Sequence, residues 1–233
     1  FYNDTETSTG NIFTAGSIDL KVDHTLATYN GLPCVNDCTE TGTTLITNGG
    51  FETPVVTDNG GQWQLYPDAS LTSWTVESGP GLELQRNSVA GDPHSGAQLA
   101  ELDSTGSSSI SQAIPTAPGG KYRLHFWYSP RPGIPAGDNT IGMAVKVVSS
   151  NSVIINDTVG LADAGGGNTA WTQYTYDFIA VDASTKVVFT DLGSSSNSLG
   201  GYLDDVSLFA LNCTDGGFPN GGICHLWNER NLG

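Results

Sequence analysis

"KYRLHFWYS", residues 121–129, alternates without a break. Leu124, Phe126 and Tyr128 fall on one side of an extended chain, and His125 and Trp127 on the other. A period of two is the mark of a strand with one face on a core and one face away from it. The same reading extends outward in both directions. Before it come "LTSWTVES", "GLELQRN", "AQLAELD" and "SSISQAI"; after it come "NTIGMAVKVVSS", "SVIINDTV", "TAWTQYTYDFIA", "TKVVFTDL" and "GYLDDVSLFAL". Each is bounded by Gly, Pro, Asn or Ser, which punctuate strands. About ten short antiparallel strands imply an all-β sandwich or barrel.

Composition agrees. The chain has 233 residues, 30 of them Gly and one Met, and 37% are hydrophobic. Long Ala/Leu/Glu/Lys stretches with a 3.6-residue period are missing, which excludes a helical protein. Lys and Arg total 8 against 24 Asp and Glu, a formal net charge of −16. Such a surface repels phosphate backbones and anionic bilayers, so neither nucleic acid nor a membrane is an expected partner. It suits divalent cations. No apolar run is long enough to span a membrane.

The chain divides into three parts: an arm at residues 1–43, a strand-rich body at 44–211 and a Gly-rich tail at 212–233. In the arm, "SIDLKVD" alternates Ile18, Leu20 and Val22 against Asp19, Lys21 and Asp23. Four cysteines, Cys34, Cys38, Cys213 and Cys224, flank the body in two pairs. Their spacing does not match a zinc ribbon; two local disulfides, or two bridges clamping the flanks together, are the readings left open. Sequons at Asn3, Asn156 and Asn212 agree with a secreted, extracellular chain carrying glycans.

Catalysis finds little support. There is no Gly-x-Ser-x-Gly elbow, His-Glu-x-x-His or P-loop, and the four histidines are scattered. Glu101 and Asp103 share a strand face, which suits surface charge or ion binding better than acid/base work. The chain reads as a non-enzyme. "NGGFE" (48–52) and "LDDVSL" (203–208) lie near the two ends of the body, and first and last strands of a sandwich are often neighbours. Glu52 and Asp205 would then share one ion, with Gly49 and Gly50 letting the backbone approach; the plain alternative is a turn and a surface acidic pair. Of the tryptophans, Trp74 and Trp171 read as core. Trp63, in "NGGQWQLYPD", is the candidate for an exposed sugar-stacking ring, with Tyr66, Arg86 and the loop "SPRPGIPAGDN" beside it.

Two resemblances sharpen this reading. "ITNGGFETP", "LTSWTVESGPGLELQR", "HSGAQLAELDSTGSSSISQAIPTAPGGKYRLHFWYSPR", "TAWTQYTYDFIAVDASTKVVFTDLG" and "GYLDDVSL" occur in the order and spacing of the galactose-binding-like superfamily of secreted carbohydrate-binding and adhesion domains, which the body resembles. That resemblance implies a jelly-roll β-sandwich. It also implies a structural Ca²⁺ on Glu52 and Asp205, with backbone oxygens near Asn48 and Gly50. "FYNDTETSTGNIFTAGSIDLKVD" resembles the start of the mature TasA/camelysin proteins, secreted fibre formers whose leader is cut just before this segment. It implies a donor strand with Ile12, Ile18, Leu20 and Val22 as its apolar knobs, adding to the sheet of another copy and growing a head-to-tail homopolymer. The expected function is a subunit of an extracellular filament, of pilus or biofilm-matrix kind. The alternative is a secreted, non-catalytic carbohydrate-binding module that takes extracellular polysaccharide.

Overall fold

The structure is a computed structural model and describes residues 28–29, 32–33, 37–86 and 89–214. Ile12, Ile18, Leu20, Val22, Asn3, Cys34 and Cys224 lie outside the described residues. Two short strands, β1 (Thr28–Tyr29) and β2 (Leu32–Pro33), form a ladder of their own. They belong to a separate unit from Cys38–Cys213, which carries the sandwich.

Twelve further strands follow in chain order: β3 (Asp37–Thr41), β4 (Trp63–Tyr66), β5 (Thr75–Ser78), β6 (Leu82–Arg86), β7 (Gln98–Glu101) and β8 (Ser109–Pro115), then β9 (Lys121–Ser129), β10 (Ile141–Val147), β11 (Val153–Val159), β12 (Thr172–Ile179), β13 (Ser184–Asp191) and β14 (Tyr202–Thr214). All ten strands expected in the body are present. Two more join them. β4 sits in a stretch too short and polar to alternate visibly, and β3, in "DCTET", has no apolar period at all.

The strands form two antiparallel sheets. One has five strands in the order β11-β10-β13-β8-β5; the other has seven, β12-β9-β14-β7-β6-β4, with β3 beside β14. From β8 to β14 the chain passes between the sheets at nearly every connection, which makes the sandwich a jelly roll. The alternation read in the sequence fixes which face is inside. Tyr122, Leu124, Phe126 and Tyr128 of β9 are buried against Ile141, Met143 and Val145 of β10 and Val187 and Phe189 of β13. Phe126 stacks on Tyr174 at 5.5 Å and meets Phe189 edge-on at 5.0 Å. Trp74 is core, as expected, between Phe51 and Phe189. Each such fully buried side chain stabilises the fold by about 1.5–3 kcal/mol.

The sheet reaches past the limits drawn at 44 and 211, because β3 and the far end of β14 pair with each other. With no apolar face to hold it, β3 is fixed by side chains and a covalent bond. Thr39 and Thr41 donate hydroxyls to the carbonyls of Asn212 and Ala210, at 3.4 and 3.1 Å. Cys38 is bonded to Cys213, across 175 residues of sequence. Of the pairings the sequence left open, this one is long-range. Closing so long a loop removes unfolded-state entropy. Replacing both residues, Cys38→Ser with Cys213→Ser, is expected to cost about 3 kcal/mol and to lower Tm by roughly 5–12 °C. Scanning calorimetry of the protein reads this directly, and an unchanged Tm would show that β3 is held by its hydrogen bonds alone.

Candidate functional site

The outer face of the seven-stranded sheet carries the polar side chains that the core excludes. On β6, Leu82 and Leu84 point inward, so Glu83 and Gln85 point outward. Antiparallel pairing sets Trp63 of β4 opposite Gln85, Glu83 opposite Glu101 of β7, and Glu101 opposite Tyr202 of β14. Trp63, Glu83 and Gln85 line an open cleft of about 280 Å³, together with Ser104, Arg131 and Ser198 from the loops above.

Two carboxylates directly opposite one another repel, and a sheet tolerates them only if something bridges them. Here the Gln85 amide does so, donating to Glu83 Oε1 at 2.8 Å and to Glu101 Oε2 at 2.5 Å. The Tyr202 hydroxyl donates in turn to Gln85 Oε1 at 2.9 Å. Arg131 Nη1 lies within 2.6 Å of Glu101 Oε1, and its guanidinium sits 5.7 Å over the Tyr202 ring. Ser104 donates to Glu83 Oε2 and the Gly200 N–H to Glu101 Oε1, each at 2.6 Å. Glu101 is 0% exposed. Burial pushes its carboxyl up to about 8, against the pull of Arg131 and the Gly200 N–H. The network is closed and buried, which makes it rigid.

Of the expected sugar-binding residues, only Trp63 lines this cleft. Tyr66 is three residues further along the same strand, an odd spacing that turns it to the opposite face. It is 5% exposed, and its hydroxyl is spent on Val55 O and Gln64 Oε1. Arg86 shares the inward parity of Leu84 and does not line the cleft. The cation there is Arg131, from the flagged loop 129–139. Tyr202, one of the aromatics the sequence offers for a sugar-stacking platform, backs the cleft; Glu83 and Gln85 have the outward set of "LELQ" as their one sequence signal. Trp171, expected in the core, is only partly buried; its Nε1 donates to Asp92 O at 3.0 Å.

The second cluster joins the ends of the body. The Val206 N–H donates to Gly49 O at 3.0 Å. A Cβ at Gly49 would lie 1.9 Å from Val206 O, so only glycine permits this approach. Glu52 and Asp205 both hold the loop 94–98. Glu52 Oε1 accepts from the N–H groups of Ala97 and Gln98, at 2.7 and 3.1 Å. Asp205 Oδ1 accepts from Ser95 Oγ at 2.9 Å, and its Oδ2 lies 2.6 Å from His94 Nδ1. The His94 ring stacks on Trp127 at 3.8 Å. Asn48 serves the turn: its amide bonds Thr53 and Thr72, and its carbonyl accepts from Trp74 Nε1 at 3.1 Å. Among the described residues no three His, Cys, Asp or Glu side chains form a metal-holding group. The oxygens that suit a hard cation are those of Glu52 and Asp205, and a Cβ at Gly50 would crowd Asp205 Oδ1 at 3.2 Å.

Asp204, unremarked in the sequence, is the buried member of this cluster. A bulge in β14 between Asp204 and Ser207 inserts one residue against β9 and sets Asp205 at φ 45. Asp204 is 0% exposed and accepts N–H groups from His94, Ser95 and Asp205. Burial, then the neighbouring Asp205 charge, pushes its carboxyl up to about 8.

Asn156 and Asn212 of the expected glycosylation sites are exposed, on β11 and β14. Among the described residues no helix is long and apolar enough to cross a membrane.

Residues 44–209 match the family described as "Protein of unknown function (DUF642)", and the chain belongs to that family. No curated protein matches the chain by sequence. Solved structures similar to it include TmCBM61 in complex with β-1,4-galactotriose, at 19% identity and TM-score 0.47, covering 72% of this chain and 99% of that one. Another is arabinose-bound MgGH51 α-L-arabinofuranosidase, at 15% identity and TM-score 0.48, covering 72% of this chain and 26% of that one. A third is the CBM22-2 xylan-binding domain of Paenibacillus barcinonensis Xyn10C, at 14% identity and TM-score 0.40, covering 64% of this chain and 98% of that one.

Glu101 and Asp204 fix the sign of the pH dependence. Each has a folded pKa near 8, above the ordinary carboxyl value of about 4, so the folded state binds more protons in between. Stability is therefore expected to fall as pH rises from about 4 to about 8. Urea midpoints measured in EDTA at pH 5 and pH 8 check this; a higher midpoint at pH 8 would contradict it.

Proposed function

We propose that this protein is a secreted, non-catalytic carbohydrate-binding module whose site is the cleft beside Trp63. One observation carries the reading: a tryptophan stands in an open cleft next to a pre-set row of hydrogen-bonding groups on a rigid sheet face. An aromatic face takes the apolar side of a sugar ring, and fixed polar groups take its hydroxyls. The ligand is a neutral polysaccharide, because a chain with net charge −16 repels acidic ones. The two carboxylates of the cleft are poorly placed for hydrolysis. Glu101 is sealed by Arg131 and Gly200, and both oxygens of Glu83 are engaged by Gln85 and Ser104. The Cys38–Cys213 bond agrees with an oxidising, extracellular setting.

A structural Ca²⁺ belongs to the same proposal. Glu52 and Asp205 would hold it, with backbone oxygens near Gly50; bound there, it would lock the 48–52 turn to the β14 bulge.

The filament reading is the second one, and the strict alternation of Ile18, Leu20 and Val22 favours it. A filament subunit and a sugar binder are compatible, and one pair of experiments separates them. In affinity electrophoresis against neutral polysaccharides, Trp63→Ala is expected to weaken retardation about tenfold, the scale of one lost ring stack at about 1.4 kcal/mol. Tyr66→Phe is expected to leave it unchanged. Absence of retardation with every neutral polysaccharide would end the module reading. Negative-stain microscopy of the protein with and without residues 1–24 tests the other; filaments only in the full-length sample would establish it.

A further inference from the structure

Three aspartates from three different connections meet at one end of the sandwich. Asp103 follows β7, Asp138 precedes β10 and Asp191 closes β13. All are buried, Asp103 at 0% and Asp191 at 6% exposure. Gly200 lies between two of them: a Cβ there would stand 3.0 Å from Asp103 Cβ and 3.6 Å from Asp191 Oδ1. A Cβ at Gly193 would stand 2.8 Å from the Asp138 carbonyl oxygen and 3.2 Å from Asp191 Oδ1.

The partners are unevenly shared. Asp138 is satisfied, by Ser194 and by Asn197 Nδ2. Asp103 Oδ2 accepts the Asn197 N–H at 3.0 Å, and Asp191 Oδ1 accepts the Gly193 N–H at 3.1 Å. The other oxygen of each, Asp103 Oδ1 and Asp191 Oδ2, is buried with no hydrogen-bond partner. Ion pairs among the described residues include none of these three aspartates. Burial pushes Asp191 up, and the charges of Asp103 and Asp138 add to it, against the Gly193 N–H and the nearby Ser107 hydroxyl, which makes no hydrogen bond to Oδ2. Buried carboxylate oxygens without a donor are costly, and a native fold retains them where something else fills the demand.

We infer that Asp103 and Asp191 bind a divalent cation, Ca²⁺, through the two open oxygens, at a site separate from Glu52 and Asp205. Hard carboxylate oxygens in an irregular, loop-built setting suit calcium, which accepts varied geometry, better than magnesium. The Asp138 carbonyl and water complete the shell, and the Asp138 charge adds attraction without direct contact. The ion joins the loops after β7 and β13 to the loop before β10, so it orders the rim from which Arg131 and Ser198 reach the Trp63 cleft.

The test uses the full-length protein, stripped with EDTA and titrated with calcium chloride at pH 7. The count of bound calcium is expected to fall by one in the Asp103→Asn/Asp191→Asn double variant. Asp205→Asn, which touches the other cluster, is expected to leave that equivalent in place. Calcium at a hundredfold excess over Kd is expected to raise the wild-type Tm by about 5 °C or more. Hydrogen exchange on the wild type locates the site without any variant: calcium should slow the amides of Gly193 and Asn197. An unchanged calcium count in the double variant would overturn the inference. So would amides at Gly193 and Asn197 indifferent to calcium, the pattern expected if the two carboxyls share a proton instead. If the double variant fails to fold, Asp191→Asn alone and the wild-type exchange data decide the matter.

Discussion

The insertion of β14 between β9 and β7 is the constraint on which the rest depends. It brings a strand from the end of the body into the middle of the larger sheet, where it meets three neighbours. Each stretch of it then serves a different purpose. Tyr202 backs the cleft, Asp204 and Asp205 hold the 94–98 loop, Val206 receives the 49–50 turn, and Cys213 anchors β3. A regular strand could not do all of this. Its period of two would send Asp204 and Val206 to the same face. The bulge adds the one residue that puts Leu203 and Val206 both in the core while Asp204 stays outside it.

The second governing fact is charge. A chain with three times as many acids as bases has few cations to spare for its buried carboxylates, and among the described residues only Glu101 of the buried ones is paired with an arginine. The fold answers with backbone N–H groups from loops. Asp204 takes three, and Asp103, Asp191 and Glu101 take at least one each. Glycine lets the backbone come this close at Gly193 and Gly200, whose N–H groups reach Asp191 and Glu101.

Much of this was legible in the sequence, because period two is a direct physical signal wherever one face is buried. β9 could be read residue by residue, and the sandwich followed from its neighbours. The misses have equally physical causes. β3 has no alternation to read, since a covalent bond and two threonine hydroxyls hold it where apolar packing would otherwise be needed. Tyr66 was grouped with Trp63 by proximity in a polar stretch, but once that stretch is a strand an odd spacing separates them across the sheet. Asp204 and Asp205 look alike as letters, and only the bulge makes one buried and the other half-exposed. Asp103, Asp138 and Asp191 are far apart in the chain, and nothing local announces that three connections converge.

The Cys38–Cys213 bond has a mechanical meaning. Its two ends stand at the borders of the sandwich, so tension entering along the chain before Cys38 and leaving after Cys213 passes straight through the sulfur bridge. The 175 residues of sequence separation it spans are off the load path. Pulled from its flanks, the jelly roll is a passenger beside a short covalent link, and the cleft and its loops keep their shape at forces that would unzip an unbridged sheet.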